Sequence, residues 1–144
     1  MISDFVLTQD YVQSKTVASK GIALGSYGID THPVRRLVHN GMVVREGHVG
    51  AGVHQPYPID YGVIVPKASE CTNLFVTFAI SASHVAFAST RMEPNFMELS
   101  QAAATAASIA IDDNVPVQQV DYTKLRDRLL ADKQVLKWMN ATNK

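Results

Sequence analysis

Residues 73–111 read NLFVTFAISASHVAFASTRMEPNFMELSQAAATAASIAI. Leu74, Val76, Phe78 and Ile80 alternate with Phe75, Thr77 and Ala79, so both faces of an extended 73–80 segment are largely apolar. That pattern predicts a central strand covered on both sides. A polar loop follows, holding Ser81, Ser83, His84 and Arg91, and then a long alanine-rich helix. Pro94 suits the first helical turn, where no N–H is lost. Phe96, Leu99, Ala103, Ala106 and Ala110 recur at helical spacing, and Ser100, Ala104 and Ser108 form a row of small residues. Asn114 can close the helix in the left-handed region, and Pro116 forbids continuation. A helix start beside polar side chains suits a polar or anionic ligand.

The flanks are shorter elements. Val34–His39 and Met42–Gly47 flank Asn40-Gly41, a pair that closes a two-residue hairpin through a type I′ turn. The alternation there predicts one partly wet face. Residues 59–66, IDYGVIVP, read as another strand. Asp121 is an N-cap for a short final helix with Leu125, Leu129 and Leu130 on its apolar side. Phe5, Val6 and Leu7 fit either a short strand or a helical turn. GIALGSYGID carries three glycines, but no helical pattern follows before Pro33, so a glycine-rich loop is expected rather than a dinucleotide fingerprint. The fold class is α+β in one domain spanning 1–144: a small, mostly antiparallel sheet with the Asn-Gly hairpin, one long Ala-rich helix and a short C-terminal helix.

Composition narrows the function. At 144 residues and 47 % hydrophobic content the chain can bury a core. Lys plus Arg equals Asp plus Glu at 13 each, so no basic field points to nucleic acid. No window approaches the ~18 apolar residues of a membrane span, and MISDFVLTQD is not a signal peptide. Cys71 is the lone cysteine, which excludes an internal disulfide, and Glu70 beside it disfavours a thiolate. His48 and His54 have no carboxylate at matching spacing, so no metal site is expected. Ser83 and His84 are neighbours without a GxSxG elbow and do not make a hydrolase pair. Ser81, Ser83, His84 and Arg91 read equally as ligand-facing groups or as structural ones. In the latter case His84 satisfies a carbonyl and Arg91 pairs with Glu93 or Glu98.

Three stretches together carry a family resemblance: IDYGVIVPK, ECTNLFVTFAISASHVAFASTRMEPNFMELSQAAATAASIAI and VDYTKLRDRLL. Over about residues 25–136 the chain resembles the C-terminal end of FAD-dependent oxidoreductases related to the glutathione-reductase type, some of which carry a xanthan lyase label. The ordered series is a strand, SASH, R-x-E-P, then S-Q-A-A-A-T-A-A. The resemblance implies FAD as cofactor, held chiefly by an N-terminal βαβ domain of the same parent chain that this sequence lacks. It implies a turn near the flavin at Ala79, Ile80 and Ser81, and a helix starting near Met97–Ala102 whose dipole stabilises negative charge on a reduced flavin. Ser100, Gln101 and Ala102 are the implied cofactor contacts there, with His84 and Arg91 as catalytic residues. Thr77-Phe78-Ala79 stands where the family has a pair such as Ala-Gly. Ser100-Gln101-Ala102-Ala103-Ala104 replaces Gly-Gln-Ala-Ala-Gly, so added side chains hold a ligand further from the backbone.

The implied whole is a flavoprotein that takes hydride from a small-molecule or saccharide substrate, with this piece inactive alone. Two other classes remain open. A polysaccharide lyase or sugar-binding module would use His84, Tyr57 or Tyr61 as base and Arg91 as cation, although Trp138 is the lone tryptophan. An interaction domain would form a homodimer through the alanine helix.

Overall fold

The computed structural model describes residues 1–139. Its buried sheet pairing joins β1 (Gly21–Gly25) and β6 (Tyr57–Asp60), antiparallel, with a bulge between Gly21 and Ala23. Thus GIALG is a strand, not the loop that its glycines suggest. Gly25 lies opposite Tyr57, and a Cβ there would sit 2.5 Å from the tyrosine ring. The glycine therefore admits a fully buried aromatic rather than loosening the chain. Ile22, Ala23, Tyr57 and Ile59 are buried.

Helix α3 (Glu93–Asp113) packs across β1. Pro94 lies in its first turn, and Asn114 ends it in the left-handed region at φ 53°. Leu99, Ala102, Ala103, Ala106 and Ala110 form its buried stripe. Ser100, Ala104 and Ser108 lie on the opposite, exposed side. Glu98 reaches back so that its carboxylate accepts the Leu24 N–H at 3.0 Å, which satisfies a strand-edge donor. Burial raises the Glu98 pKa, against a smaller opposing effect of that hydrogen bond. Helix α4 (Tyr122–Ala131) starts where Asp121 accepts the Thr123 N–H at 2.8 Å, and buries Leu125 and Leu129 toward α3.

Two minor sheets complete the α+β architecture. β2 (Ile29–Asp30) pairs with β5 (Gly50–Ala51). β3 (Arg35–His39) pairs with β4 (Met42–Glu46), closed by Asn40 and Gly41 at φ 51° and 76°. Positive φ at both central positions is the expected type I′ turn. All ten residues of that hairpin are exposed, so it is wet on both faces rather than on one.

The expected strand over 59–66 ends early. Asp60 accepts the Gly62 N–H at 2.9 Å and starts a 3₁₀ turn over Tyr61–Ile64. Its other carboxylate oxygen accepts the Lys20 N–H at 2.9 Å. The expected strand over 73–80 does not form. Among the described residues only Val76 of this stretch donates a backbone hydrogen bond, to Ile64 at 2.9 Å, and Ser81 just after it donates to Val63 at 2.8 Å. A strand needs a ladder partner, and a 3₁₀ turn supplies only scattered acceptors. Leu74 and Phe78 consequently stay 49 % and 65 % exposed. The N-terminal Phe5–Leu7 stretch forms neither a named strand nor a helix; Leu7 makes one parallel bridge to Ala82 and is fully buried. Helix α1 (Gln9–Val12) follows it. Among the described residues no helix is long and apolar enough to cross a membrane.

Candidate functional site

The polar stretch after residue 80 is mostly helical rather than a loop. Ser83 accepts the Ala86 N–H at 3.3 Å and caps α2 (His84–Thr90). Ser83 is thus a helix cap. Ser81 is fully buried, and its hydroxyl accepts the Ser3 N–H at 2.9 Å. The inner side of α2 is fastened to the core. Tyr57 Oη and Ser89 Oγ share a hydrogen bond of 2.6 Å, and Ser89 Oγ donates to the Tyr27 carbonyl. Ala86, Ala88, Ser89 and Thr90 are buried.

The outer side carries the chemistry. His84 opens α2 and Arg91 closes it, seven residues apart. Two helical turns return to nearly the same face. Both side chains line a pocket of about 280 Å³ together with Phe87 and Ala88 of the same helix and Asp30, Thr31 and His32. His32 and Asp30 escape sequence reasoning because nothing local distinguishes them. They arrive through β2, which Thr31 anchors: its N–H donates to the Val49 carbonyl at 3.0 Å, and its hydroxyl accepts the Val49 N–H at 2.5 Å. The ring of His48 bonds the Thr31 carbonyl, so this histidine is structural here.

Arg91 is loosely tethered. Its Nη2 donates to the Asp30 carbonyl at 3.4 Å and lies 3.7 Å from Asp30 Oδ2, too far for a hydrogen bond. The alternative pairing with Glu93 or Glu98 does not occur; the carboxylate beside Arg91 is Asp30. Tyr27 Oη donates to the same Oδ2 at 3.4 Å. Among the described residues the Nε and Nη1 donors of Arg91 have no protein acceptor, and the imidazoles of His32 and His84 have no hydrogen-bonding or ionic partner. The pocket thus offers several uncommitted donors above an apolar wall. Phe87 in that wall stacks on Phe96 of α3, with ring centroids 6.5 Å apart.

The residues implied as flavin contacts lie elsewhere, and none lines this pocket. Ala79 is exposed, and its carbonyl accepts the N-terminal amino group of Met1 at 3.2 Å. Ile80, Ser81 and Ala102 are buried. The N–H and carbonyl of Ser81 are bonded to Val63 and Leu7. Because α3 starts at Glu93 and not near Met97–Ala102, the N–H groups of Ser100, Gln101 and Ala102 lie inside the helix, where the ladder consumes them. Only the Ser100 and Gln101 side chains and the Ala79 N–H remain open. These six residues alone do not fit FAD: they form no cradle, and no glycine-rich βαβ unit accompanies them among the described residues. Among the described residues no three His, Cys, Asp or Glu side chains are placed to hold a metal ion.

Tyr57 and Tyr61, the alternative bases, are unsuited to proton abstraction. Both are buried, and the Tyr61 hydroxyl donates to the Val117 carbonyl at 2.7 Å. Burial pushes the Tyr57 phenol up to about 12 and raises that of Tyr61 further.

Residues 1–129 match the family model described as FAD dependent oxidoreductase. No curated protein and no solved structure matches the chain.

Proposed function

The chain belongs to the FAD-dependent oxidoreductase family, and on that premise we propose that it forms the substrate-side part of such an enzyme and needs a separate flavin-holding partner. The observation that carries this reading is the pocket in which His84 and Arg91 meet His32 and Asp30. Arg91 would orient a polar or anionic group of the substrate, and His84 would hold or accept a proton near neutral pH. The apolar wall of Phe87 and Ala88 would exclude water from the bound face.

Two features support a missing partner. Residues 73–80 have the alternation of a buried strand but no ladder, and they expose Leu74 and Phe78. The outer face of α3 exposes Met97 and Ile111 alongside Gln101, Ala104 and Ser108. An N-terminal FAD-binding domain of the parent chain would cover these surfaces and supply the dinucleotide cradle that Ala79, Ser100 and Gln101 do not make.

Flavin absorbance is the test. The full-length parent protein should purify yellow, or turn yellow on reconstitution with FAD, whereas this chain alone should stay colourless and inactive. A parent that is colourless and cannot be reconstituted would overturn the reading.

A further inference from the structure

Uncommitted donors line the pocket between β2 and α2. Arg91 Nε and Nη1 and both imidazoles lack a protein partner among the described residues. The acceptors around them are partly engaged. Thr31 is bonded to Val49 through its hydroxyl and to His48 through its carbonyl. The Asp30 carboxylate receives Tyr27 Oη and stands beside Arg91. A site rich in uncommitted donors calls for a ligand that is all acceptor. The planar fork of Arg91 matches a carboxylate in bidentate geometry better than it matches a neutral carbonyl. The space is small: 280 Å³ equals on the order of nine water molecules at ~30 Å³ each. Phe87 and Ala88 supply an apolar surface for a short carbon skeleton.

We propose that this pocket is a binding site for small carboxylates, with Arg91 as the anchor and His32 and His84 flanking the bound acid. This deepens the reading of the pocket as the substrate site and rests on it. The main-chain oxygen of Asp30 accepts from Nη2 at 3.4 Å, which leaves the remaining guanidinium donors available. His32 is the group that sequence reasoning does not find, and it contributes from the segment just after β2, some 50 residues upstream of α2.

The test uses the 144-residue chain and the Cε1–H resonances of its histidines, assigned with His32→Gln and His84→Gln. Titration with acetate and with pyruvate should move the His32 and His84 signals together and saturably, while His54 stays still. Acetamide, which lacks the charge, should move neither. Arg91→Gln should weaken acetate binding about tenfold or more, and Arg91→Lys should restore part of it. If Arg91→Gln fails to give a dispersed amide spectrum, His32→Gln, an exposed substitution, should still weaken binding measurably. The proposal is overturned if no saturable shift appears, if Arg91→Gln binds acetate as well as the parent chain, or if inorganic phosphate binds more tightly than either carboxylate. A yellow parent protein whose pocket ignores carboxylates would sink this inference alone. A colourless parent whose pocket binds them would sink the flavoprotein reading alone.

Discussion

Tyr57 Oη meets Ser89 Oγ at 2.6 Å, so the hydroxyl of a buried strand residue is joined to the helix that bears His84 and Arg91. The bond ties the sheet core to the site: β6 supplies Tyr57, and α2 presents its outer face to β2 only while its inner face is held. Ser89 passes the link on to the Tyr27 carbonyl, and Tyr27 in turn touches Asp30. The helix behind the pocket is therefore braced by the bonds that join Tyr57, Ser89 and the Tyr27 carbonyl.

Alkaline pH should loosen that brace. Burial pushes the Tyr57 phenol from 10.0 to about 12, with Ser89 pulling slightly the other way. A folded pKa above the unfolded one contributes stability that is fully present below pH 10 and is lost as pH rises through 12. Two pKa units correspond to roughly 3 kcal/mol. Tyr61, raised by burial as well, adds to the same decline. Urea midpoints measured at pH 8, 10 and 11.5 should fall steeply in the native chain and less steeply in Tyr57→Phe. An identical alkaline decline in both proteins would refute the assignment.

Gly25→Ala should strain the same tyrosine. The new Cβ would lie 2.5 Å from Cζ and 2.6 Å from Oη of a ring that is fully buried. Overpacking of this kind costs about 1–3 kcal/mol. The loss should shrink in a Gly25→Ala/Tyr57→Leu double variant relative to Tyr57→Leu alone, because the clash disappears. Additive losses from chemical denaturation would show that the glycine serves another purpose.

Phe78→Ser should separate folding from association. Phe78 is 65 % exposed, so the substitution should change stability of this chain by no more than about 0.5 kcal/mol. In the full-length parent, where the 73–80 segment is proposed to be covered, the same change should cost about 1–3 kcal/mol and lower flavin retention. Thermal unfolding of both proteins, with flavin fluorescence followed in the parent, makes the comparison. Equal small effects in both would mean that the segment stays uncovered.

Asn114→Gly should be neutral or slightly stabilising, whereas Asn114→Val should destabilise by about 1–2 kcal/mol. The residue sits at φ 53°, ψ 48° at the end of α3, where a β-branched side chain is strained and glycine is not. Denaturant midpoints of the two variants give the order directly, and a reversed order would contradict the left-handed cap.

What the sequence determined by itself was whatever its groups can satisfy within a few residues. Asn40-Gly41 turns a hairpin, Pro94 and Asn114 bound α3, and Asp121 caps α4, because each device bonds or bends only its own neighbourhood. Tertiary structure decided the rest. Residues 73–80 carry a strand's alternation yet form no strand, since a ladder requires a second backbone and the 3₁₀ turn at Tyr61–Ile64 offers acceptors at two points only. The glycines of GIALG mark close approach to Tyr57, which no local pattern reveals. His32 and Asp30 meet His84 and Arg91 across more than fifty residues of chain. Side chains so distant in sequence share a pocket only because β2, held by Val49, faces a helix pinned by Tyr57.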